Sequence, residues 1–285
     1  MVSVVIPARD AAGTLGGQLE ALATQERSPA PFEVVVADNG STDGTPELAD
    51  RWRQRLPVRV VDASGRRGAG HARNVGTAAA RGELVAYCDA DDVVAPDWLH
   101  HLVEAAATAD LVGGALEHDA LNEVATEWRG RDGAEALPRP LGFLPAAISA
   151  NCAVRRPVWE RIGGWNLAYT HGGDDVDFSW RAQLAGFRLA FAPRALVHYR
   201  RRATMRGVGR QVYDYARADV RLYRDFRAFG AARRPARSMA RSLLYPLTRA
   251  PLAVVSRRRR GYWVVVTATV AGHVSGSVHQ RALYL

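Results

Sequence analysis

The sequence predicts an α/β fold, a mostly parallel sheet flanked by helices, with a basic, mainly helical C-terminal extension. Three observations predict it: short continuous apolar runs separated by helix-length segments, polar residues gathered where those runs end, and an abrupt change of charge near residue 200. Runs without polar alternation are the pattern of strands buried on both faces, and strands separated by helices imply βαβ units. With 285 residues, 48% of them hydrophobic, the chain can bury a large core.

The predicted strands are Val2 to Ile6, Phe32 to Ala37, Val58 to Val61 and Leu84 to Cys88. Between them lie predicted helices over about Thr14 to Thr24, from Thr45-Pro46 onward, and over about His71 to Ala80. The second takes Thr45 as its cap and Pro46 at the first helical position, where a missing N–H costs nothing. From about Leu116 to Leu144 the pattern loosens and fills with charge, Gly and Pro, which predicts loops and excursions. Beyond Arg200, Tyr and Arg interleave from Gln211 to Phe229 in a helix-compatible pattern, followed by Pro-punctuated basic segments. The apolar stretch Tyr262 to Val278 follows Arg257-Arg258-Arg259-Arg260 and contains Gly272, His273 and Gly276. It falls short of the about 20 strongly apolar residues that span a bilayer, so it predicts a helix lying on a membrane surface or packed on the body.

Charge divides the chain. Residues 1–199 hold 19 Arg against 26 Asp and Glu, whereas residues 200–285 hold 19 Arg against 3 Asp, and there is no Lys. Exclusive use of Arg reads as genome bias, and the acidic body argues against a nucleic-acid partner; only the stretch Tyr213 to Phe229 interleaves bases with aromatics. The tail is expected to be drawn to an anionic membrane leaflet, which also accepts nearby apolar residues. Met1 leads directly into a strand-like run without a signal-peptide pattern, so the expected location is cytoplasmic, peripheral at the inner face of the plasma membrane. Cys88 and Cys152 stand in no metal-type spacing and are expected as small buried thiols.

In open α/β sheets ligands lie outside the carboxyl ends of the strands. There the first strand runs into Pro7-Ala8-Arg9-Asp10, the second into Asp38-Asn39-Gly40-Ser41 and the fourth into Asp89-Ala90-Asp91-Asp92. Two carboxylates one residue apart at a strand end can hold a hard divalent cation on oxygen ligands. Taken alone, the same residues fit an exposed acidic turn before a helix.

The runs Val4-Val5-Ile6-Pro7-Ala8-Arg9, Ala37-Asp38-Asn39-Gly40-Ser41-Thr42-Asp43-Gly44-Thr45, Ala72-Arg73-Asn74-Val75-Gly76, Arg81-Gly82-Glu83 and Asp89-Ala90-Asp91-Asp92 resemble, in order and spacing, family 2 glycosyltransferases of the GT-A (nucleotide-diphospho-sugar transferase) fold. The resemblance covers about two thirds of the chain. It implies an inverting, metal-assisted transfer from a UDP-, dTDP- or GDP-sugar to an acceptor hydroxyl on a glycan, lipid-linked saccharide or small molecule, in cell-surface glycan or glycoconjugate synthesis. It implies that Pro7, Ala8, Arg9, Asp10 and Asp38 contact the base, Arg73 the base or phosphate, and Asp89 with Ala90 the ribose or metal shell. Asp91 would bind Mn²⁺ or Mg²⁺ directly. Asp38 as an acceptor suits an imino N–H on uracil, thymine or guanine. Asn39 stands where many members carry a second Asp, and keeps the turn chemistry.

The run Gly172-Gly173-Asp174-Asp175-Val176-Asp177 resembles the family's (Glu/Asp)-Asp motif ahead of the acceptor-site helix. It implies Asp175 as the catalytic base, with Asp174 the alternative; Asp174 and Asp177 otherwise suit a helix N-terminus. His198 is either structural or, as related enzymes suggest, a third metal contact, which would favour Mn²⁺. Trp165 is a candidate for stacking on a sugar, against the ordinary reading of a core tryptophan. Gly68-Ala69-Gly70 lacks the setting of a dinucleotide loop, so no nicotinamide cofactor is expected. The expected organisation is a catalytic domain over 1–205, with a nucleotide-binding half (1–115) and an acceptor half (116–205), then a membrane-associating region over 206–285. A sugar-phosphate nucleotidyltransferase would carry a Gly-rich, Arg-containing loop after the first strand, which is lacking; a non-catalytic nucleotide-sugar binder would tolerate loss of Asp91 and Asp175, and both are present.

Overall fold

The computed structural model describes residues 1–26, 30–122 and 136–284. The four predicted strands form its parallel half. β1 (Val2–Ala8) pairs in parallel with β2 (Phe32–Asp38) and with β4 (Leu84–Cys88), and β3 (Val58–Asp62) pairs in parallel with β2. Beyond β4 the sheet turns mixed: β7 (Asn151–Arg155) is antiparallel to β4 and to β6 (Leu111–Glu117), β8 (Leu189–His198) is parallel to β6, and the two-residue β5 (Val93–Val94) is antiparallel to β8. The order is β3-β2-β1-β4-β7-β6-β8-β5.

Period-two alternation divides the core between the sheet's faces. Val4 and Ile6 pack with Leu15, Leu19 and Leu22 of α1 (Leu15–Ala23) and with Leu99 and Leu102 of α4 (Trp98–Ala106). Val5, Val35, Val85 and Tyr87 point the other way, toward Trp165 and Phe178. α3 (Ala69–Ala79) comes so close to the sheet that a Cβ at Gly76 would collide with Val5. Cys88 and Cys152 are free, buried thiols on opposite faces, one in each core.

α2 (Thr45–Arg51) starts one residue earlier than expected. Gly44, with φ +85°, occupies the cap position, and Thr45 lies inside the first turn. Its hydroxyl is used between loops instead: it accepts from the Ala11 amide at 2.8 Å and donates to Asp43 at 2.5 Å.

One buried side chain carries the irregular half of the sheet. The β6–β8 ladder shifts register between Gly114 and Ala115, leaving carbonyls at the break. The Asn151 amide donates to the carbonyls of Ala115 at 2.7 Å and Ala195 at 2.8 Å, while its oxygen accepts from the Trp98 indole at 2.8 Å. A bulge of this kind bends a strand and re-aims its end.

α5 (Arg156–Ile162) and α6 (Asp174–Leu184) follow the sheet's antiparallel centre. α7 (Met205–Phe226) lays Leu222 and Phe226 beside Trp180 of α6, with the Phe226 and Trp180 rings edge to face at 5.1 Å. α8 (Ala236–Ala253) and α9 (Arg257–Gln280) complete the chain. The apolar stretch predicted from Tyr262 lies within α9 and packs on α7: a Cβ at Gly272 would strike the Tyr213 backbone, and one at Gly276 would strike Val220. Among the described residues no helix is long and apolar enough to cross a membrane. Of the stretch Leu116 to Leu144, residues 123–135 lie outside the described residues.

Candidate active site

The polar strand ends converge as the topology requires. Past β1, Asp10 adopts φ +48° and its carboxylate accepts from the Thr42 amide at 2.9 Å, while its own amide donates to the Ser41 hydroxyl at 2.9 Å. Asp43 returns the contact by accepting from the Ala12 amide at 2.9 Å. The Pro7 to Asp10 turn and the Asp38 to Thr45 loop are thus tied into one rim. Asp38 is buried and accepts from the Ser41 amide at 3.2 Å. Arg9 lies on the same rim, 3.6 Å from Asp10.

Asn39 does more than keep a turn. Its side-chain amide donates to the carbonyls of Ala63 and Arg66, and its oxygen accepts from the Gly68 amide at 2.8 Å. The loop leading into α3 is therefore held by one side chain with both donor and acceptor capacity; a carboxylate would face two carbonyl oxygens.

Arg73, on α3 and 4% exposed, links the two acidic motifs. One terminal nitrogen donates to Asp89 at 2.9 Å and the other to Asp174 at 3.0 Å. Burial alone would lower its pKa, but the charges of Asp89 and Asp174 outweigh that and raise it. The guanidinium carbon also lies 5.1 Å from the centre of the Trp165 ring. Trp165 is 2% exposed, stacked on Phe178 at 4.4 Å and met edge-on by Tyr87, so it is a core residue backing Arg73 and presents no face to a sugar.

At the end of β4, a carboxylate oxygen from each of Asp89, Asp91 and Asp92 lies within 4.8 Å of the others. Ala90 between them is buried. Asp92 is the residue the sequence reading left unassigned. One of its oxygens accepts from the Arg200 amide at 2.7 Å, and the other is buried without a partner. Burial and then the Asp89 charge push its pKa up to about 8, and the same two causes raise that of Asp91. Three crowded carboxylates with an orphaned buried oxygen fit a hard divalent cation. Near them Arg202 reaches to 3.6 Å from Asp91. His198 is placed beside this motif by the pairing of Val93 with His198, but its Nδ1 lies 2.8 Å from Glu117, and it is not part of the carboxylate cluster.

The second motif opens α6. Gly172 and Gly173 take φ of +103° and +79°, and a Cβ at Gly172 would run into the Tyr215 ring of α7. Asp174 is committed to Arg73, and Asp177 to Arg181 at 2.7 Å and Asn166 at 3.2 Å. Asp175 is left partly exposed, accepting from the Val176 amide at 2.9 Å and loosely from that of Ser149 at 3.4 Å. Burial and the adjacent Asp174 charge raise its pKa. Arg73, Asp89, Asp174 and Asp175 line one cavity of about 510 Å³, which Tyr199 and Tyr215 of α7 also line.

Residues 3–163 match the Glycosyl transferase family 2 profile, and residues 84–275 match Glycosyl transferase family group 2. The chain is 32% identical over 213 residues to the succinoglycan biosynthesis protein ExoO of Rhizobium meliloti (strain 1021), a match covering 68% of this chain and 59% of that protein. It thus spans about three fifths of that relative's length. Mannosyltransferase PcManGT from Pyrobaculum calidifontis, solved with GDP-Man and Mn²⁺, superposes with a TM-score of 0.67 at 20% identity, covering 96% of this chain and 86% of that one. S. aureus TarS 1-349 in complex with UDP-GlcNAc gives 0.57 at 17% identity, covering 100% and 93%. At these identities the structural likeness concerns the fold, which is GT-A. The family 2 profile spans more than half of the sequence, and on that match the chain belongs to glycosyl transferase family 2.

Proposed function

We propose that the protein is an inverting glycosyltransferase that moves a sugar from a nucleoside-diphosphate donor to an acceptor hydroxyl, with a divalent cation, in cell-surface glycan or glycoconjugate synthesis. The observation that carries this reading is Arg73, whose single guanidinium ties the Asp89 motif to the Asp174-Asp175 motif on one cavity. GDP-Man and UDP-GlcNAc in the two structural neighbours support a nucleotide-sugar donor, and the Mn²⁺ of PcManGT supports the cation.

On this reading the rim from Pro7 to Asp10 and Asp38 receive the base, Ala90 and Asp89 lie along the ribose, and Arg73 is a buried, fixed positive charge on the cavity for the diphosphate. Asp91, with Asp89 and Asp92, would hold Mn²⁺ or Mg²⁺; His198 joins them only if its ring leaves Glu117. The cation, when bound, supplies Lewis-acid stabilisation of the departing diphosphate. Asp175 accepts the proton of the acceptor hydroxyl as that oxygen bonds to the anomeric carbon; the bond to the diphosphate breaks on the opposite side and leaves its electron pair on the phosphate oxygen. Asp174 cannot serve as easily, because its carboxylate is already spent on Arg73. Residues 1–115 then act as the donor half and 116–205 as the acceptor half, with 206–285 as a helical region in peripheral contact with a membrane.

Inversion is directly measurable. Proton NMR of the product formed from an α-linked donor should show a β-linked sugar from the first turnover; an α-linked product would remove Asp175 from the role of base.

A further inference from the structure

The C-terminal helices carry a surface that the sugar chemistry does not use. From Phe226 onward the sequence contains 11 Arg and no acidic residue. α9 is packed on α7 through the close approach at Gly272 and Gly276, although its Tyr262, Val274 and Val278 remain exposed. α8 is different. One of its sides rests on α9, where the Tyr245 and Tyr262 rings meet edge to face at 5.3 Å and the Trp263 indole donates to the Pro246 carbonyl at 2.9 Å. Its other side presents Leu243, Leu244 and Leu247 at 42%, 58% and 77% exposure, and just past its end Val254 and Val255 are 75% and 65% exposed. At helical periodicity the three leucines fall in one stripe. Exposed Arg237 and Arg241 border that stripe, and the exposed run Arg257 to Arg260 stands beside the two valines.

We propose that the leucine stripe of α8, with the arginine-rich corner between α8 and α9, docks on the surface of an anionic lipid bilayer and lies in its headgroup region. Charge selects this occupant. Arginines bordering large exposed aliphatic side chains match a surface of anionic headgroups over acyl chains, where both kinds of side chain gain. A second copy of the chain would set one unbalanced arginine cluster against another. A nucleic acid would neutralise the arginines but leave the leucines in water. The apolar stretch of α9, which the sequence offered as the membrane element, serves as the support that holds α8 outward.

The test is co-sedimentation of the full-length protein with vesicles of phosphatidylcholine alone or with added phosphatidylglycerol, at low and high salt. The proposal expects binding to the anionic vesicles to exceed binding to the neutral ones by roughly tenfold or more and to weaken with salt. Leu244→Ser with Leu247→Ser should lower it by about tenfold, and Arg258→Gln with Arg259→Gln by several-fold, with unchanged thermal unfolding in both. Equal binding to both vesicle types, or anionic binding untouched by the leucine pair, would overturn it. So would RNA that displaces the vesicles more strongly than it loses to them, or a wild-type dimer that the leucine pair converts to monomer.

Discussion

Arg73 forms two ion pairs from a single buried guanidinium, and its partners sit 16 residues ahead and 101 residues ahead of it in the chain. Removing it would leave two carboxylates facing each other in a poorly hydrated site, which is the costly half of breaking a buried pair. Its grip on Asp174 is also what singles out Asp175. With Asp175 raised to about 6, its carboxylate form is the one that accepts a proton, so activity should be lost as pH falls through about 6 rather than through the ordinary carboxylate range. Asp175→Asn should lower kcat by about 10²- to 10⁴-fold with donor affinity little changed, and should remove that acid limb from the kcat/KM profile. An acid limb near pH 4, or one that survives the substitution, would contradict the assignment. Asp92 shows what residue-level reading misses. It was visible as the last letter of the acidic run, but only the fold reveals that one of its oxygens is buried and unpartnered.

At the scale of elements, the parallel half of the sheet was legible because its signals are local. Val2 to Ile6, Phe32 to Ala37, Val58 to Val61 and Leu84 to Cys88 are apolar runs of strand length, and all four are strands. The mixed half was not legible, for physical reasons. β5 is two residues long, β6 contains two adjacent glycines, and the β6–β8 ladder is interrupted and stitched by a side chain from β7. That stitch makes a sharp prediction. Asn151→Ala leaves the carbonyls of Ala115 and Ala195 and the Trp98 indole buried without partners, and should cost about 3–5 kcal/mol in denaturant unfolding. A loss under about 1 kcal/mol would mean the bulge holds itself. Thr45 and Asn39 belong here as well, since each is a turn residue by composition whose side chain is committed to a neighbouring loop.

Over the whole molecule, the strand-end rule located one acidic residue of the cavity, Asp89, from sequence alone, while the ends of β1 and β2 form a rim of their own. What the rule could not supply is the part of the lining that α7 contributes. Tyr215 comes from α7, more than a hundred residues after the Asp89 motif, and reaches the cavity only because Leu222 and Phe226 anchor α7 on α6. Nothing local in Gln211 to Phe229 marks those positions as facing a ligand. α9 shows the same limit: its apolar composition suits a lipid surface or a protein partner, and does not mark Gly272 and Gly276 as the places where it meets α7.

The central claim is that the Asp91 cluster and Asp175 act on one nucleotide-sugar in one cavity. The most direct measurement is release of nucleoside diphosphate from a panel of UDP-, GDP- and dTDP-sugars with Mn²⁺ or Mg²⁺, comparing wild type, Asp91→Ala and Asp175→Asn, with binding followed in parallel. The account predicts release from one donor that requires the cation, with Asp91→Ala losing metal-dependent donor binding and Asp175→Asn keeping binding while losing release. Metal-independent release, or full activity in either variant, would contradict it.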